Sequence, residues 1–345
     1  MNARALRLPA ASMAAPLRPA LLLGVLVLIL LLLSGASLAV GRAPLDLGSA
    51  LAQWLRGEST LATLVLIELR LPRTLLAAFV GASLGLAGAA MQGLLRNPLA
   101  EPGIVGVSSC AAFAAVVAFY SGLSLVAPLA LPLAGIAGAL FAVVLLYALA
   151  GREASTLTLI LAGVAINGFA GAATALALNI APNPFAVTEI VFWMMGSVAD
   201  RSMSHVQLAA PLMIAGWALL LTSGRAIDAL TLGEETAASL GVRLARLRLM
   251  VVLGTALAVG SGVAVTGAVG FVGLVAPHLL RPLVAHQPSR LLIASALGGA
   301  VLVLAADVAV RLITIGPELK LGVVTALIGA PFFLVLVIRL RRKTI

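Results

Sequence analysis

The residues of this chain that could do chemistry sit in two polar interruptions of an otherwise apolar sequence. QGLLRNPLAEPGIVGVS (92–108) carries Arg96, Asn97 and Glu101 between prolines, and GAVGFVGLVAPHLLR (267–281) carries His278 and Arg281 among glycines. Neither has the spacing of a nucleophile with its base, and no His/Cys/Asp/Glu cluster with metal-ligand spacing occurs. The chemistry open to them is passage. Hydrocarbon cannot satisfy the backbone and side-chain polar groups of such stretches, so they lie at a membrane surface or line a water-filled path. One such stretch reads as a plain connection between spans; two in one chain point to a translocation path.

The elements around them must be membrane helices. The 345 residues are 62% hydrophobic and 10% charged, with a mean hydropathy of +1.18, too little polar surface for a water-facing globule. At about 20 residues per crossing there is room for on the order of ten helices. The apolar runs are continuous and do not alternate, which disfavours a β-barrel. The fold class expected is an all-α integral membrane protein of about ten transmembrane helices with short re-entrant or interfacial helices: a tail at 1–19, a single transmembrane domain at 20–345, and a loop at 225–248. A net charge of +10 raises the question of nucleic acid, but with 4% aromatics there is no stacking platform for bases. The single cysteine, Cys110, cannot form an internal disulfide and reads as a packing residue.

In chain order, Ala20–Val40 is long enough to cross and reads as a first span, although Ala36-Ser37-Leu38-Ala39 has the look of a signal-peptide cleavage site. Pro72 in RLPR (70–73) is expected to open the second span, because proline at a first helical turn loses no bonded N–H. Gly81, Gly85 and Gly88 on that span allow close approach of another helix. Asn167 within the fifth span reads as interhelical packing ahead of substrate contact. TEIVFWMMGS (188–197) reads as a re-entrant or interfacial helix, and Asp307 with Arg311 as a pair one turn apart. Fifteen of the 22 Lys and Arg then fall on the side holding both termini and seven opposite, the bias expected of a cytoplasmic face. A faint similarity between GLAGAAMQGLL (85–95) and AVTGAVGFVGL (264–274) allows two inverted, repeat-like halves.

Arg225–Arg248, with Asp228, Glu234 and Glu235 followed by Arg243, Arg246 and Arg248, reads as an inner loop of two short helices. It is longer than a turn requires, which favours a docking surface for a cytoplasmic partner. No GxxxxGK[ST] phosphate loop occurs, so ATP hydrolysis must come from another chain.

The phrases RLPR (70–73), QGLLRNPLAEPGIVGVS (92–108), LTLGEETAASLGV (230–242), GFVGLVAPHLLR (270–281) and LGVVTALIGAPFF (321–333) together resemble the iron-chelate and cobalamin uptake permeases of bacterial ABC importers. That resemblance implies ten spans in the inner membrane, both termini cytoplasmic, a second permease copy or paralogue, two ATPase subunits holding ATP and Mg, and a periplasmic binding protein. It implies no enzyme activity and no cofactor, metal or nucleic acid on this chain. It also implies that Arg70, Arg73 and Arg311 dock the binding protein, that Asn97, Leu99 and Thr156 form a cytoplasmic gate, and that Leu232, Gly233, Glu234, Ala237, Leu240 and Gly241 couple to the ATPase. The chain departs from the family at Leu157, where a small hydroxyl residue is usual, and at Lys320, where proline is usual. The cargo implied is a ferric siderophore or related chelate, with haem or cobalamin as alternatives. A carrier coupled to an ion gradient is the competing class; it would need intramembrane ionisable residues, for which Asp307, His278 and Arg281 are the candidates. A membrane scaffold without transport is disfavoured by the long loop and the paired interruptions.

Overall fold

A computed structural model describes residues 19–41, 45–127, 129–151, 154–181, 184–313 and 318–344, and every regular element among them is helical. Residues 1–18 of the expected tail, Arg152 and Glu153 of an expected inner turn, the Pro182-Asn183 break, and the Gly316-Pro317 turn lie outside the described residues.

Seven helices are long and apolar enough to cross a membrane and three shorter apolar ones accompany them, in line with about ten spans. In order these are α1 (Pro19–Ala39), a short surface helix α2 (Leu47–Leu55), α3 (Leu61–Leu94), α4 (Val107–Tyr120), α5 (Ala130–Ala150), α6 (Thr156–Asn179), α7 (Pro184–Met194), α8 (Met203–Thr222), the short α9 (Gly224–Leu230) and α10 (Glu234–Ser239), α11 (Leu244–Thr266), α12 (Val272–Val284), α13 (Pro288–Leu312) and α14 (Leu321–Thr344). The most apolar windows of α3 and α11 are 78% buried and that of α1 only 17%, so α3 and α11 form the centre and α1 is peripheral.

Pro72 does not open the second span. The helix starts at Leu61, where Thr60 and Thr63 cap each other, and runs through Pro72 to Leu94. Proline has no N–H to donate and its ring crowds the carbonyl four residues back. Val65–Arg70 accommodate it by widening into a π-helical turn, in which the Leu71 N–H reaches Leu66 O, five residues back. α11 likewise starts at Leu244, about five residues before the apolar run at Leu249, because its charged first turns project into the polar loop.

Glycine decides how closely the central helices meet. A Cβ on Gly81 would lie 2.3 Å from Gly299 O, one on Gly85 1.9 Å from Ser295 O, and one on Gly88 1.9 Å from Gly273 O. The stripe on α3 is thus the surface on which α13 and α12 rest, backbone on backbone. Two polar bonds add to it: Trp217 Nε1 donates to Ser83 Oγ at 2.8 Å, and Ser37 Oγ and Thr74 Oγ1 lie 2.6 Å apart.

The broken ends of three helices satisfy one another. Ser197 N–H donates to Thr266 O at 2.7 Å and Gly322 N–H to Gly196 O at 3.3 Å, joining the ends of α7, α11 and α14 where hydrocarbon would supply no partner. In the first interruption Pro102–Val105 form one 3₁₀ turn, and Arg96 stands in the left-handed region at φ 48°, as Phe271 does in the second at φ 65°. Side-chained residues rarely adopt that conformation unless their surroundings impose it.

Gly85→Val is expected to abolish monodisperse, folded protein, because its Cβ would have to displace backbone on α13. Gly24→Ala, with nothing within 4 Å of its Cβ, should leave the detergent melting curve unchanged. A Gly85→Val protein that elutes and melts like wild type would contradict this packing.

Candidate functional site

The two interruptions converge on one cavity. Its volume is about 430 Å³, and its wall includes Glu101, Pro102 and Gly103 from the first, Gly270, Phe271 and Gly273 from the second, and Ser109 and Asn167. The two stretches touch where Gly273 packs on Pro102: a Cβ there would lie 2.7 Å from Pro102 Cδ. Asn167 behaves as interhelical glue. Its Nδ2 donates to Gly103 O at 2.9 Å and Ile104 O at 3.3 Å, and its Oδ1 accepts from Ser109 Oγ at 2.6 Å, pinning the 3₁₀ turn between α4 and α6. The remaining wall is mostly apolar, with Leu84, Val164, Val259 and Val263, so a solute meets few groups that would hold it.

At one end of the bundle the predicted gate and the predicted coupling segment are directly bonded. Thr156, the first residue of α6, donates its hydroxyl to Glu234 Oε1 at 3.0 Å, and Arg248 on α11 holds the same carboxylate with bonds of 3.0 and 2.9 Å. Partial burial pushes the Glu234 carboxyl up, but the bonds from Arg248 and Thr156 and the charges of Arg248 and Arg96 outweigh it and leave it below the ordinary value of 4.5. Asn97 caps its own turn, accepting from Leu99 N–H at 2.9 Å; among the described residues no hydrogen bond joins either of them to Thr156. Leu157 is 64% exposed, so this part of the opening is apolar.

Within the coupling segment, Leu232 and Leu240 project outward, both 64% exposed. Gly233 and Gly241 take φ of 108° and 88°, which explains glycine at both ends of α10 by backbone conformation, since nothing crowds a Cβ there. Ala237 is fully buried. It seats α10 against the chain and presents no surface to a partner. Asp228 on α9 accepts from Ser289 N–H at 2.8 Å, capping the start of α13; sequence reading noted this residue only as a loop charge.

At the other end, Arg70, Arg73 and Arg311 are brought together, but they face inward. Arg70 Nη1 donates to Leu38 O and Ala39 O, both at 2.7 Å, and Arg311 Nη1 to Ser37 O at 2.7 Å and Val40 O at 2.9 Å, so both arginines cap the C-terminal carbonyls of α1. The Asp307–Arg311 pair expected from spacing is present at 2.6 Å, and Arg73 joins the same carboxylate at 2.7 Å while also binding Glu318. Asp307 is 1% exposed. The three arginines therefore hold α1, α3, α13 and the approach to α14 together, a role their sequence positions did not disclose. Lys320, the other departure, ends that approach with its carbonyl accepting from Val323 N–H at 3.1 Å, and its ammonium lies over the Phe192 ring.

The residues a gradient-driven carrier would use are engaged in structure: Asp307 as above, Arg281 bonded to Gln92 Oε1, and His278 edge-on to Phe332. An all-helical apolar bundle whose broken helices meet at an internal cavity is a multi-pass membrane permease. Comparison with known proteins agrees. The FecCD transport family matches residues 26–339, and the chain belongs to that family. It is 42% identical to the vitamin B12 import system permease protein BtuC of Vibrio cholerae, over 81% of this chain and 85% of that one. It is 39% identical to the Fe(3+) dicitrate transport system permease protein FecD of Escherichia coli, over 88% and 94%, and 35% identical to the hemin transport system permease protein HmuU of Yersinia pestis, over 94% and 98%. Among solved structures, an inward-facing metal-chelate-type ABC transporter superposes with a TM-score of 0.80 at 34% identity, covering 92% of this chain and 99% of that one.

Two outcomes follow from these charge clusters. Asp307→Ala takes from the buried Arg311 its carboxylate and leaves Arg73 with Glu318 alone, and is expected to lower stability by about 3–5 kcal/mol; an unchanged thermal midpoint in detergent would contradict the cluster. Because folding lowers the Glu234 pKa, its contribution is complete above the unfolded value and lost as pH falls through the folded one. The gap in thermal midpoint between wild type and Glu234→Gln should hold above the ordinary carboxylate value of 4.5 and shrink as pH falls below it.

Proposed function

We propose that this chain is the membrane-spanning subunit of a binding-protein-dependent ABC importer that carries a ferric siderophore or related iron chelate across the bacterial inner membrane. Both termini are cytoplasmic, and two separate ATPase subunits supply the energy. The observation that carries this reading is the Thr156–Glu234–Arg248 link, which ties the foot of a path-lining helix to the one segment shaped for a cytoplasmic partner.

The ATPase docks on α9 and α10, with Leu232 and Leu240 as apolar knobs beside a cavity of about 420 Å³ lined by Arg225, Arg243 and Arg246. Movement of α10 is transmitted through Glu234 to Thr156 and so to α6, at the level where Asn97 and Leu99 close the path. A second permease copy or a paralogue lies against α6, which leaves Leu157, Leu161, Val164 and Phe169 uncovered on this chain. The periplasmic binding protein docks at the Arg70, Arg73 and Arg311 end. Its acidic groups reach Arg73 and Arg311 by competing with Asp307 and Glu318, so docking loosens the tie between α13 and the approach to α14. Haem and cobalamin are the alternative cargoes, on the similarity to the hemin and vitamin B12 permeases.

Reconstituted with its ATPase and binding protein, the chain should take up ferric chelate in an ATP-dependent, vanadate-sensitive manner that an ionophore does not abolish. Uptake that ignores ATP would sink the proposal. Thr156→Val, which removes the hydroxyl bond to a charged group, should lower cargo moved per ATP by roughly tenfold while ATP hydrolysis continues.

A further inference from the structure

A second cavity, of about 510 Å³, lies at the end of the bundle that bears Arg70 and Arg311, between the last turn of α4, α5, α7 and the turn before α8. Its wall combines Val116, Phe119 and Ile190 with Tyr120, Trp193 and Arg201. Tyr120 Oη, Trp193 Nε1 and Arg201 Nε are each buried and without a hydrogen-bond partner among the described residues. Buried polar groups are ordinarily paired, and each exception calls for an explanation. Here three exceptions share one cavity, and they share a chemistry. An indole N–H and a guanidinium N–H can only donate, and a phenol hydroxyl is free to donate.

The acidic residue on this wall is Glu189. It is exposed at the rim and forms no ion pair with Arg201. Asp200, next in sequence to Arg201, is also exposed. The guanidinium keeps its charge in this setting. The residues of one wall thus carry three unpaired donors and one positive charge beside the rings of Phe119 and Trp193. We propose that it is an oxyanion-binding site, taking a carboxylate or phosphate group attached to an apolar body.

Two sources carry that chemistry: the peripheral carboxylates of a chelate waiting at the outer mouth, and the phosphate of a lipid headgroup. The first rests on the permease reading above; the second does not. Arg201 also lines the neighbouring cavity of about 260 Å³ with Arg70, Arg73 and Arg311, so a chelate held here is adjacent to the proposed docking surface.

The test uses Tyr120→Phe/Trp193→Phe, which keeps an aromatic ring at both positions and removes two donors, and separately Arg201→Gln. In phosphate-free maltoside micelles, equilibrium dialysis measures binding of ferric dicitrate and hemin, both carboxylates, with hemin dimethyl ester, whose carboxylates are masked, as the comparison. In a parallel arm, native mass spectrometry measures retained phosphatidylglycerol after reconstitution in vesicles of that lipid and phosphatidylcholine. The expected result is a loss of roughly tenfold or more in affinity for a carboxylate probe, or of retained phosphatidylglycerol, in both variants. Binding of hemin dimethyl ester should be unchanged. If the double variant melts like wild type yet matches it for both carboxylates and for lipid, the site assignment is overturned. ATP-driven uptake by wild type, measured in the same preparations, separates that failure from a failure of the permease reading.

Discussion

Hydrocarbon offers no hydrogen-bond partner, so a helix that breaks inside a membrane protein must find its missing partners in the protein itself. The organisation of this chain follows from that constraint. The breaks after α3, α7 and α11 and before α14 are drawn to one another because each supplies what another lacks: Thr266 O for Ser197 N–H, Gly196 O for Gly322 N–H, and the Asn167 amide for the carbonyls of the 3₁₀ turn. The internal cavity is what remains when such segments meet but do not fill the space between them. Glycine makes the meeting possible, since at Gly81, Gly85 and Gly88 any side chain would occupy the neighbouring backbone.

Charge is used economically at both ends. Asp307, nearly inaccessible to solvent, is tolerated because two guanidinium groups surround it, and Arg73 and Arg311 are tolerated because Asp307 and Glu318 balance them. The cluster adds little net charge and much geometric definition, fixing α1 against α3 and α13. Glu234 plays the corresponding part at the opposite end, shared between the hydroxyl of Thr156 and the guanidinium of Arg248. In both places one carboxylate ties together separate helices.

Much of this was legible beforehand. The apolar runs disclosed the helices and their number because the bilayer sets helix length, and the spacing of Asp307 and Arg311 disclosed their pairing. The glycine stripe of α3 announced a close helix contact but not its partner. What escaped was whatever depended on distant parts of the chain. Arg70 and Arg73 read as exposed charges ringing a mouth, yet their partners lie in α1 and α13. Ala237 read as part of a docking surface, yet its methyl group is covered by the body of the chain. Tyr120, Trp193 and Arg201 had no common signal, since each is unremarkable alone and they are separated by up to about 80 residues.

By itself the sequence determined the solvent, the helical class and the two polar interruptions. These follow from composition and local periodicity, and a bilayer amplifies both. The tertiary structure alone decided that the two interruptions share a cavity, that Thr156 reaches Glu234, that the outer arginines turn inward, and that three unpaired donors meet. The physical reason is that a hydrogen bond or a buried charge has meaning only with its partner in place, and those partners lie 64, 78 or 234 residues away along the chain.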